Sequence, residues 1–96
     1  MTNIEIIKIG KKDCAPCEQV IPQFERLKAA HIKNIRFRSL DAIEDALEVL
    51  EIGGITTTPQ LIFKKDGVEV YRHKGVFVKG RVEKILQEEL GYEIKK

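Results

Sequence analysis

The chain has 96 residues, of which 43% are hydrophobic and 33% are charged. This length is typical of one domain, and we predict that residues 1–96 form it. The apolar content excludes an intrinsically disordered chain, which is poor in apolar residues and strongly charged in one sign. No apolar run approaches the roughly 18 residues of a membrane span, so no membrane partner is expected.

The charges are nearly balanced, with 17 basic and 15 acidic side chains and a net charge of +2. Basic residues alternate with acidic ones and do not form the patch or stripe that is typical of dedicated nucleic-acid binders, so no nucleic-acid partner is predicted. The N-terminal segment lacks the basic region and unbroken apolar run of a secretory signal, which predicts a cytoplasmic protein. The default expectation for its assembly is a monomer.

The first predicted elements are a strand and a helix. An isoleucine-rich segment predicts a strand over Ile4–Ile9, ended by Gly10. A helix is predicted from about Ala15 to Ala30, because apolar residues recur there at helical spacing. These apolar positions are Val20, Ile21, Phe24 and Leu27.

A second strand and a second helix follow. The strand is predicted over Asn34–Leu40, and Asp41 is expected to cap the helix, with Glu44 completing a capping box. The pair Gly53-Gly54 is expected to end this helix. Its predicted apolar side consists of Ala42, Ile43, Ala46, Leu47 and Leu50.

The last part of the chain predicts a hairpin and a final helix. A strand is predicted over Pro59–Phe63, and the Asp66-Gly67 pair is a hairpin signal. Its antiparallel partner is Val68–Lys74, and the last helix spans about Lys79 to Leu90. The order βαβα-ββα predicts an α/β fold, in which a four-stranded mixed sheet carries helices on both faces.

Both cysteines lie in the segment Cys14-Ala15-Pro16-Cys17. A disulfide that closes so short a loop stabilises a protein by roughly 2 kcal/mol, against about 4.7 kcal/mol for a 100-residue loop. Stabilisation of the fold is therefore a poor explanation for this cysteine pair. Cys14 is predicted just before the helix, whose unpaired N–H groups and dipole favour a thiolate. Pro16 suits the first helical turn. Cys17, one turn further in, is expected to be more buried and to attack a mixed disulfide formed by Cys14.

Other residues with possible site chemistry have simpler interpretations. Structural zinc needs four ligands. Only His31 and His73 are available to complete such a set, and their spacing is not that of metal ligands. No metal site is therefore predicted, and both histidines are expected to be exposed polar residues. Tyr71 and Phe77 are expected to be core or rim residues.

Several spaced features together resemble the thioredoxin family over nearly the full length of the chain. Cys14-Ala15-Pro16-Cys17 is close to the family's Cys-Gly-Pro-Cys, and Pro22 stands where the family has its helix-kinking proline. Thr58-Pro59 stands where the family has its cis-proline. The further matching segments are Gly54-Ile55, Leu61–Gly67, Gly75 and Val78-Lys79-Gly80.

The resemblance implies a minimal thioredoxin-like fold and a thiol–disulfide oxidoreductase that reduces protein disulfides. Cys14 would be the attacking cysteine and Cys17 the resolving one. Pro59 would be cis, the backbone of Thr58 would pair with an extended substrate, and Val76 would line the same groove. The implied supporting residues are Ala15, Pro16, Pro22 and Gly75. The resemblance implies no cofactor besides the redox-active disulfide, and as partners a disulfide-containing protein and a thioredoxin reductase or similar electron donor.

The sequence departs from the family at two positions near the site. Asp13 replaces the usual tryptophan, and Lys8 replaces the buried carboxylate that normally handles the proton of the resolving cysteine. Lys8 itself or water is a candidate for that role, and the alternative is a lysine that snorkels to the strand end. The chain also lacks the extra N-terminal strand and helix of full thioredoxins, which makes its length closer to that of glutaredoxins.

Two alternative functions stay open on the sequence. A glutaredoxin-like reductase would use glutathione, but the Gly-Gly pair of that family follows the proline strand, whereas Gly53-Gly54 precedes it here. A binding module would hold a partner in the groove around Thr58 and Pro59, with the cysteine pair as a redox-sensitive latch. A Cys17→Ser variant separates a carrier, which becomes trapped on its substrate, from a binder.

Overall fold

A computed structural model describes residues 3–94, and its strands and helices follow the predicted order βαβα-ββα. The strands are β1 (Ile4–Gly10), β2 (Ile35–Asp41), β3 (Gln60–Lys65) and β4 (Val68–Lys74). The helices are α1 (Ala15–His31), α2 (Ala46–Ile52) and α3 (Lys79–Leu90). Within residues 3–94, no helix combines the length and the apolar character that crossing a membrane requires.

The four strands form one mixed sheet in the order β2-β1-β3-β4. β1 and β2 are parallel, as expected for strands that are joined by a helix, and Ile4 pairs with Ile35. β3 is antiparallel to both β1 and β4. Because β1 and β3 are the inner strands, their side chains are covered on both faces of the sheet. The predicted mixed, four-stranded sheet is confirmed.

Helices cover both faces of the sheet, as predicted. Neighbouring residues of β1, such as Ile6 and Ile7, point to opposite faces and enter two separate cores. On one face, side chains of α1, α3 and the sheet form a core together with Phe77. Its members are Ile4, Ile6, Val20, Phe24, Leu27, Ile35, Leu61, Phe63, Phe77, Val82, Ile85, Leu86 and Leu90. On the other face, Val49 of α2 forms a smaller core with Ile7, Ile9, Leu40 and Ile62 of the sheet. Phe77 is thus a core residue, and Tyr71 packs at the rim of the first core, as predicted.

The hairpin between β3 and β4 turns at Asp66-Gly67, as predicted. Both residues have positive φ, 53° and 83°, which is the backbone of the two-residue turn that this pair favours. The Asp66 carboxylate accepts the N–H of Asn3 at 3.0 Å, and the N–H of Asp66 donates to the carbonyl of Asn3 at 2.8 Å. The hairpin is therefore fastened to the residue that precedes β1.

The start of the second helix differs from the prediction. Asp41 is the last residue of β2, and its carboxylate accepts the N–H groups of Ile43 and Glu44 at 2.8 and 2.9 Å. These two hydrogen bonds, the Glu44 N–H first, lower the pKa of Asp41. They stabilise a turn over residues 42–45, and α2 begins only at Ala46. The Glu44 side chain pairs with Lys12 at 2.9 Å instead of completing a capping box.

Of the predicted apolar side of this helix, Ala42 packs against the core as expected, but the other four residues are exposed. Ile43, Leu47 and Leu50 are 72%, 81% and 74% exposed, whereas Val49 is buried and Ile52 is half-buried against the sheet. Helical spacing identifies rows of apolar residues but does not decide which row faces the sheet. The same holds in α1, where Ile21 is 44% exposed although its apolar neighbours are buried.

The expectation that His31 is exposed is also wrong. Its ring is buried between two elements, with Nε2 2.7 Å from a Glu83 carboxylate oxygen and Nδ1 3.2 Å from the Tyr92 hydroxyl. Lys79 donates to the same Glu83 oxygen at 3.1 Å. Burial alone would raise the pKa of Glu83, but the hydrogen bonds from His31 and Lys79 outweigh it and lower the pKa. His73, the other histidine, is half-buried.

Candidate active site

Cys14 is the N-cap of α1. Asp13, in the left-handed region at φ 56°, turns the chain out of the loop after β1, and Cys14 has extended backbone angles of −126° and 100°. Its Sγ accepts the N–H of Cys17 at 3.3 Å, where most helices use a side-chain oxygen. Pro16 lies in the first turn, as predicted. The sulfur thus lies at the positive end of the helix, which favours its charged form.

Cys14 and Cys17 form a disulfide, and their Cα atoms are 5.2 Å apart. The two residues are almost equally buried, at 7% and 6% exposed, so Cys17 is more buried than Cys14 only by a narrow margin. One wall against Cys17 is the end of β1: a Cβ atom on Gly10 would lie 3.5 Å from the Cβ of Cys17 and 3.7 Å from its Sγ. These are ordinary van der Waals distances, so the end of β1 packs directly against Cys17.

The segment before β3 brings Thr58 to Cys14. The Thr58 hydroxyl oxygen lies 3.5 Å from the Cys14 Sγ, and the Thr58 carbonyl oxygen lies 3.9 Å from it. A disulfide sulfur has no proton, so the hydroxyl is the donor in the first contact. The Thr58–Pro59 peptide bond is cis, and Pro59 is buried.

The loop after β4 meets the same segment. Gly75, at φ 94°, donates its N–H to the Pro59 carbonyl at 2.9 Å. Val76 follows with its side chain 49% exposed. His73 Nε2 lies 3.0 Å from the Val76 carbonyl. Because a carbonyl only accepts, this ring nitrogen carries the proton. The structure therefore places Val76 one residue after the contact of Gly75 with Pro59.

The other residues predicted near the site lie along α1. Ala15 and Pro16 are exposed in its first turn, and Pro22 is exposed within the helix. No group of three or more His, Cys, Asp or Glu side chains suited to a metal ion occurs in the part of the chain that the structure describes.

Two polar residues that sequence reasoning missed hold the segment that carries Thr58. Arg72 of β4 donates to the Gly53 carbonyl at 2.6 Å and to both carboxylate oxygens of Glu69 at 2.9 and 2.7 Å. The hydrogen bond with Glu69 raises the pKa of Arg72. Gln60, which is fully buried, donates to the Thr57 carbonyl at 2.8 Å. A glutamine directly after Pro59 in an otherwise apolar strand was the available signal.

The amino group of Lys8 lies over an aromatic ring of α1. Its Nζ is 5.2 Å from the centre of the Phe24 ring, and Phe24 is two helical turns, about 10 Å, beyond Cys17 along α1. Burial lowers the pKa of Lys8, and the charge of Glu25 opposes that shift. This placement favours the interpretation of Lys8 as a lysine that runs its stem along the apolar surface toward an exposed carboxylate.

Comparisons with known proteins agree with this geometry. The family model named Thioredoxin matches residues 3–88. Thioredoxin Asp f 29 of Aspergillus fumigatus is 34% identical over 58 residues, which are 59% of this chain and 52% of that protein. The chain thus matches about half the length of this curated relative.

Solved structures share the fold at low sequence identity. A malarial protein superposes with a TM-score of 0.84 at 14% identity, covering 92% of this chain and 98% of its own. A thioredoxin from Malassezia sympodialis, Mala s 13, gives a TM-score of 0.79 at 20% identity, covering 91% of this chain and 75% of its own. Because the family model spans residues 3–88, including both cysteines, Thr58 and Pro59, the chain belongs to the thioredoxin family.

Proposed function

We propose that the protein is a thiol–disulfide oxidoreductase that reduces disulfides in other proteins through Cys14 and Cys17. The observation that carries this proposal is the position of Cys14 Sγ, which accepts the N–H of Cys17 at the start of α1 and lies against Thr58. Charge on this sulfur is favoured by the helix end and by a neighbouring hydroxyl donor. Both features activate a thiolate nucleophile.

In the proposed reaction, the Cys14 thiolate attacks one sulfur of a substrate disulfide. A bond forms between Cys14 and that sulfur, and the other substrate sulfur leaves as a thiolate that takes up a proton. Cys17 then loses its proton and attacks the Cys14 Sγ, which releases the second substrate thiol. Two electrons pass from the cysteine pair to the substrate, and the pair ends as a disulfide. The two substrate thiolates take up protons from solvent, and the one proton that Cys17 loses goes to solvent.

The proposed substrate groove lies between the segments that meet beside Cys14. The Thr58 backbone would pair with an extended stretch of the substrate, in a short version of strand addition. Val76 would contact the same stretch, because its side chain is half exposed next to the contact of Gly75 with Pro59. Pro59 would pack under the disulfide, and Ala15, Pro16 and Pro22 would support α1 around it.

We propose that water accepts the proton that Cys17 loses before it attacks the mixed disulfide. Lys8 occupies the family's carboxylate position in the sequence, but its amino group lies over Phe24. The proposed partners are a disulfide-containing protein and a thioredoxin reductase or similar donor that reduces the pair again. A potential near the thioredoxin value of about −270 mV would keep the pair largely reduced in a cytosol at roughly −220 to −260 mV. We accordingly propose a monomeric cytoplasmic carrier without a further cofactor.

A trapping experiment tests the assignment of the two cysteines. Reduced Cys17→Ser protein is mixed with intact insulin, whose disulfides serve as the model substrate, and adducts are separated without reductant. The variant should form a mixed disulfide through Cys14, whereas Cys14→Ser should form none. An adduct of Cys14→Ser, or turnover by Cys17→Ser equal to that of the unchanged protein, contradicts the proposal. Re-reduction by glutathione alone, but not by a thioredoxin reductase, would indicate the glutaredoxin-like function instead.

A further inference from the structure

An apolar strip on the outer side of the second helix is not explained by the fold. The strip consists of Ile43, Leu47 and Leu50, which are the three most exposed large hydrophobic residues of the described chain, at 72%, 81% and 74%. Leu47 and Leu50 are three residues apart in α2 and so lie on one side of that helix, and Ile43 lies in the turn that precedes it. Single exposed hydrophobic residues are ordinary, but a contiguous group on one face marks an interaction surface.

The strip lies within the most acidic part of the chain. Residues 41–52 contain five acidic and no basic side chains, whereas the whole chain has a net charge of +2. The acidic residues are Asp41, Glu44, Asp45, Glu48 and Glu51. Lys12 pairs with Glu44 and Arg38 with Glu48, so two of these charges are partly balanced by neighbouring elements. The strip therefore presents apolar side chains with a net negative border.

The segment that carries the strip is joined at both ends to parts of the chain that contact the cysteine pair. At the near end, the N–H of Ala42 donates to the Gly10 carbonyl at 2.8 Å, and Glu44 pairs with Lys12 in the loop that leads to Cys14. At the far end, α2 runs through Gly53 into the segment that carries Thr58. A protein that covers the cysteine pair and extends over α2 would therefore cover the strip as well.

We propose that the apolar strip is a second docking surface for the protein whose disulfide meets Cys14, and that it binds a segment with apolar side chains flanked by Lys or Arg. This inference rests on the proposed function. Burial of Leu47 and Leu50 supplies the attraction, and the acidic border selects basic partners and speeds their encounter. The strip thus makes this carrier prefer some disulfide proteins over others without touching the reacting sulfurs.

Matched model peptides test the preference. Each peptide contains a disulfide-bonded cysteine pair, a flexible Gly/Ser linker and a helical segment. Three peptides differ only in this segment: it carries leucine with lysine in the first, leucine with glutamate in the second and serine with lysine in the third. The cysteine pair is reduced beforehand and the reductant is removed, and a single turnover of the protein with excess peptide is followed. The unchanged protein should reduce the leucine–lysine peptide with a second-order rate constant about tenfold above that for either other peptide. Equal values for the three peptides overturn the docking role.

Variants locate the preference on the molecule. In Leu47→Ser/Leu50→Ser, the rate constant for reduction of the leucine–lysine peptide should be close to those for the other two peptides. A ratio of these rate constants that stays as in the unchanged protein overturns the proposal. The ratio compares peptides on one protein, so a general loss of activity cancels. Ile32→Ser is the matched control because Ile32 is 59% exposed at the other end of α1, about 25 Å from Cys14, and it should keep the full ratio.

Two further outcomes separate this proposal from its alternatives. Sedimentation equilibrium should show the same mass for the unchanged protein and for Leu47→Ser/Leu50→Ser. A dimer that only the unchanged protein forms would show that a second copy covers the strip, which overturns the proposal. If no peptide is reduced and Cys17→Ser forms no adduct, the proposed function fails as well. If all three peptides are reduced equally, only the docking role fails.

Discussion

The Thr58 hydroxyl oxygen lies 3.5 Å from the Sγ of Cys14, although 44 residues separate the two along the chain. Thr58 sits on the segment that α2 leads into, and Cys14 sits on the loop that leads into α1. The helix end supplies one donor to the sulfur and the Thr58 side chain supplies a second. The charge on the reduced Cys14 sulfur therefore depends on contacts from two parts of the fold.

Thr58→Val should lower the reduction potential of the cysteine pair. Valine keeps the shape of the side chain but removes the hydroxyl donor, so the reduced form with its thiolate is less stable. Loss of a hydrogen bond of about 1 kcal/mol corresponds to a shift of roughly −20 mV. Equilibration with glutathione measures the shift, and Thr56→Val, at an exposed site, is the control. Equal potentials for Thr58→Val and the unchanged protein would contradict the proposed contact.

Arg72→Lys should destabilise the protein although the charge is kept. The guanidinium bonds both oxygens of Glu69 and the Gly53 carbonyl together, and a lysine ammonium does not reproduce this forked geometry. We expect a loss of about 1 kcal/mol, which lowers Tm by roughly 4–8 °C. Arg36→Lys is the matched control, because that side chain is 77% exposed with a 3.5 Å ion pair to Glu5. A similar decrease in Tm in both variants would show that the forked hydrogen bonds of Arg72 add no stability.

Lys8→Met should keep the activity. If Lys8 accepted the proton of Cys17, its loss would slow the reaction by about a hundredfold or more. Because its amino group lies over Phe24, we expect single-turnover reduction of a model disulfide to stay within about twofold of the unchanged rate. A hundredfold loss at neutral pH, restored by added small amines, would assign the proton transfer to Lys8.

The same variant should be at least as stable as the unchanged protein near neutral pH. The pKa of Lys8 is lowered in the folded state by burial, so its charge opposes folding at pH values below the unfolded pKa of lysine. This destabilisation is relieved as the pH rises through the folded pKa. Urea unfolding at neutral and alkaline pH measures the difference between Lys8→Met and the unchanged protein, which should shrink as the pH rises.

Glu83→Gln should make the stability of the protein less dependent on pH under acidic conditions. The pKa of Glu83 is lowered in the folded state, so its contribution to stability is present above its unfolded pKa of about 4.3 and is lost as the pH falls through the folded pKa. The unchanged protein should therefore lose more stability than Glu83→Gln when the pH falls below about 4.3. Urea midpoints over this range measure the effect. Glu88→Gln is the control because its side chain is 57% exposed, and an equal acid slope for Glu83→Gln would contradict the prediction.

His31→Ala should destabilise the C-terminal end of the fold. The buried ring links α1 to Glu83 of α3 and to Tyr92, which follows α3. Removing it leaves the Glu83 carboxylate and the Tyr92 hydroxyl short of a partner, at a cost of about 1–3 kcal/mol. Thermal unfolding measures the loss, and His73→Ala, at a half-buried site that contacts a carbonyl, should cost less. Equal losses would show that burial of the His31 network adds no stability.

The amino-acid sequence by itself determined the features that depend on neighbours along the chain. The bounds of β4 and α3 follow from periodicity and from their turn residues, and the Asp66-Gly67 turn follows from the φ values that these residues accept. Cys14 at the start of a helix is likewise a local property, because Pro16 suits the first turn. The resemblance to the thioredoxin family added what spacing alone does not carry, namely the pairing of Cys14 with the Thr58-Pro59 segment.

Only the tertiary structure decided the features that join distant residues. His31 is buried because Glu83 and Tyr92, 52 and 61 residues away, complete its hydrogen bonds. Leu47 faces outward because Val49, on another side of α2, packs against residues of the sheet. Apolar periodicity describes one element at a time, whereas burial depends on how the ends of that element are fastened to others.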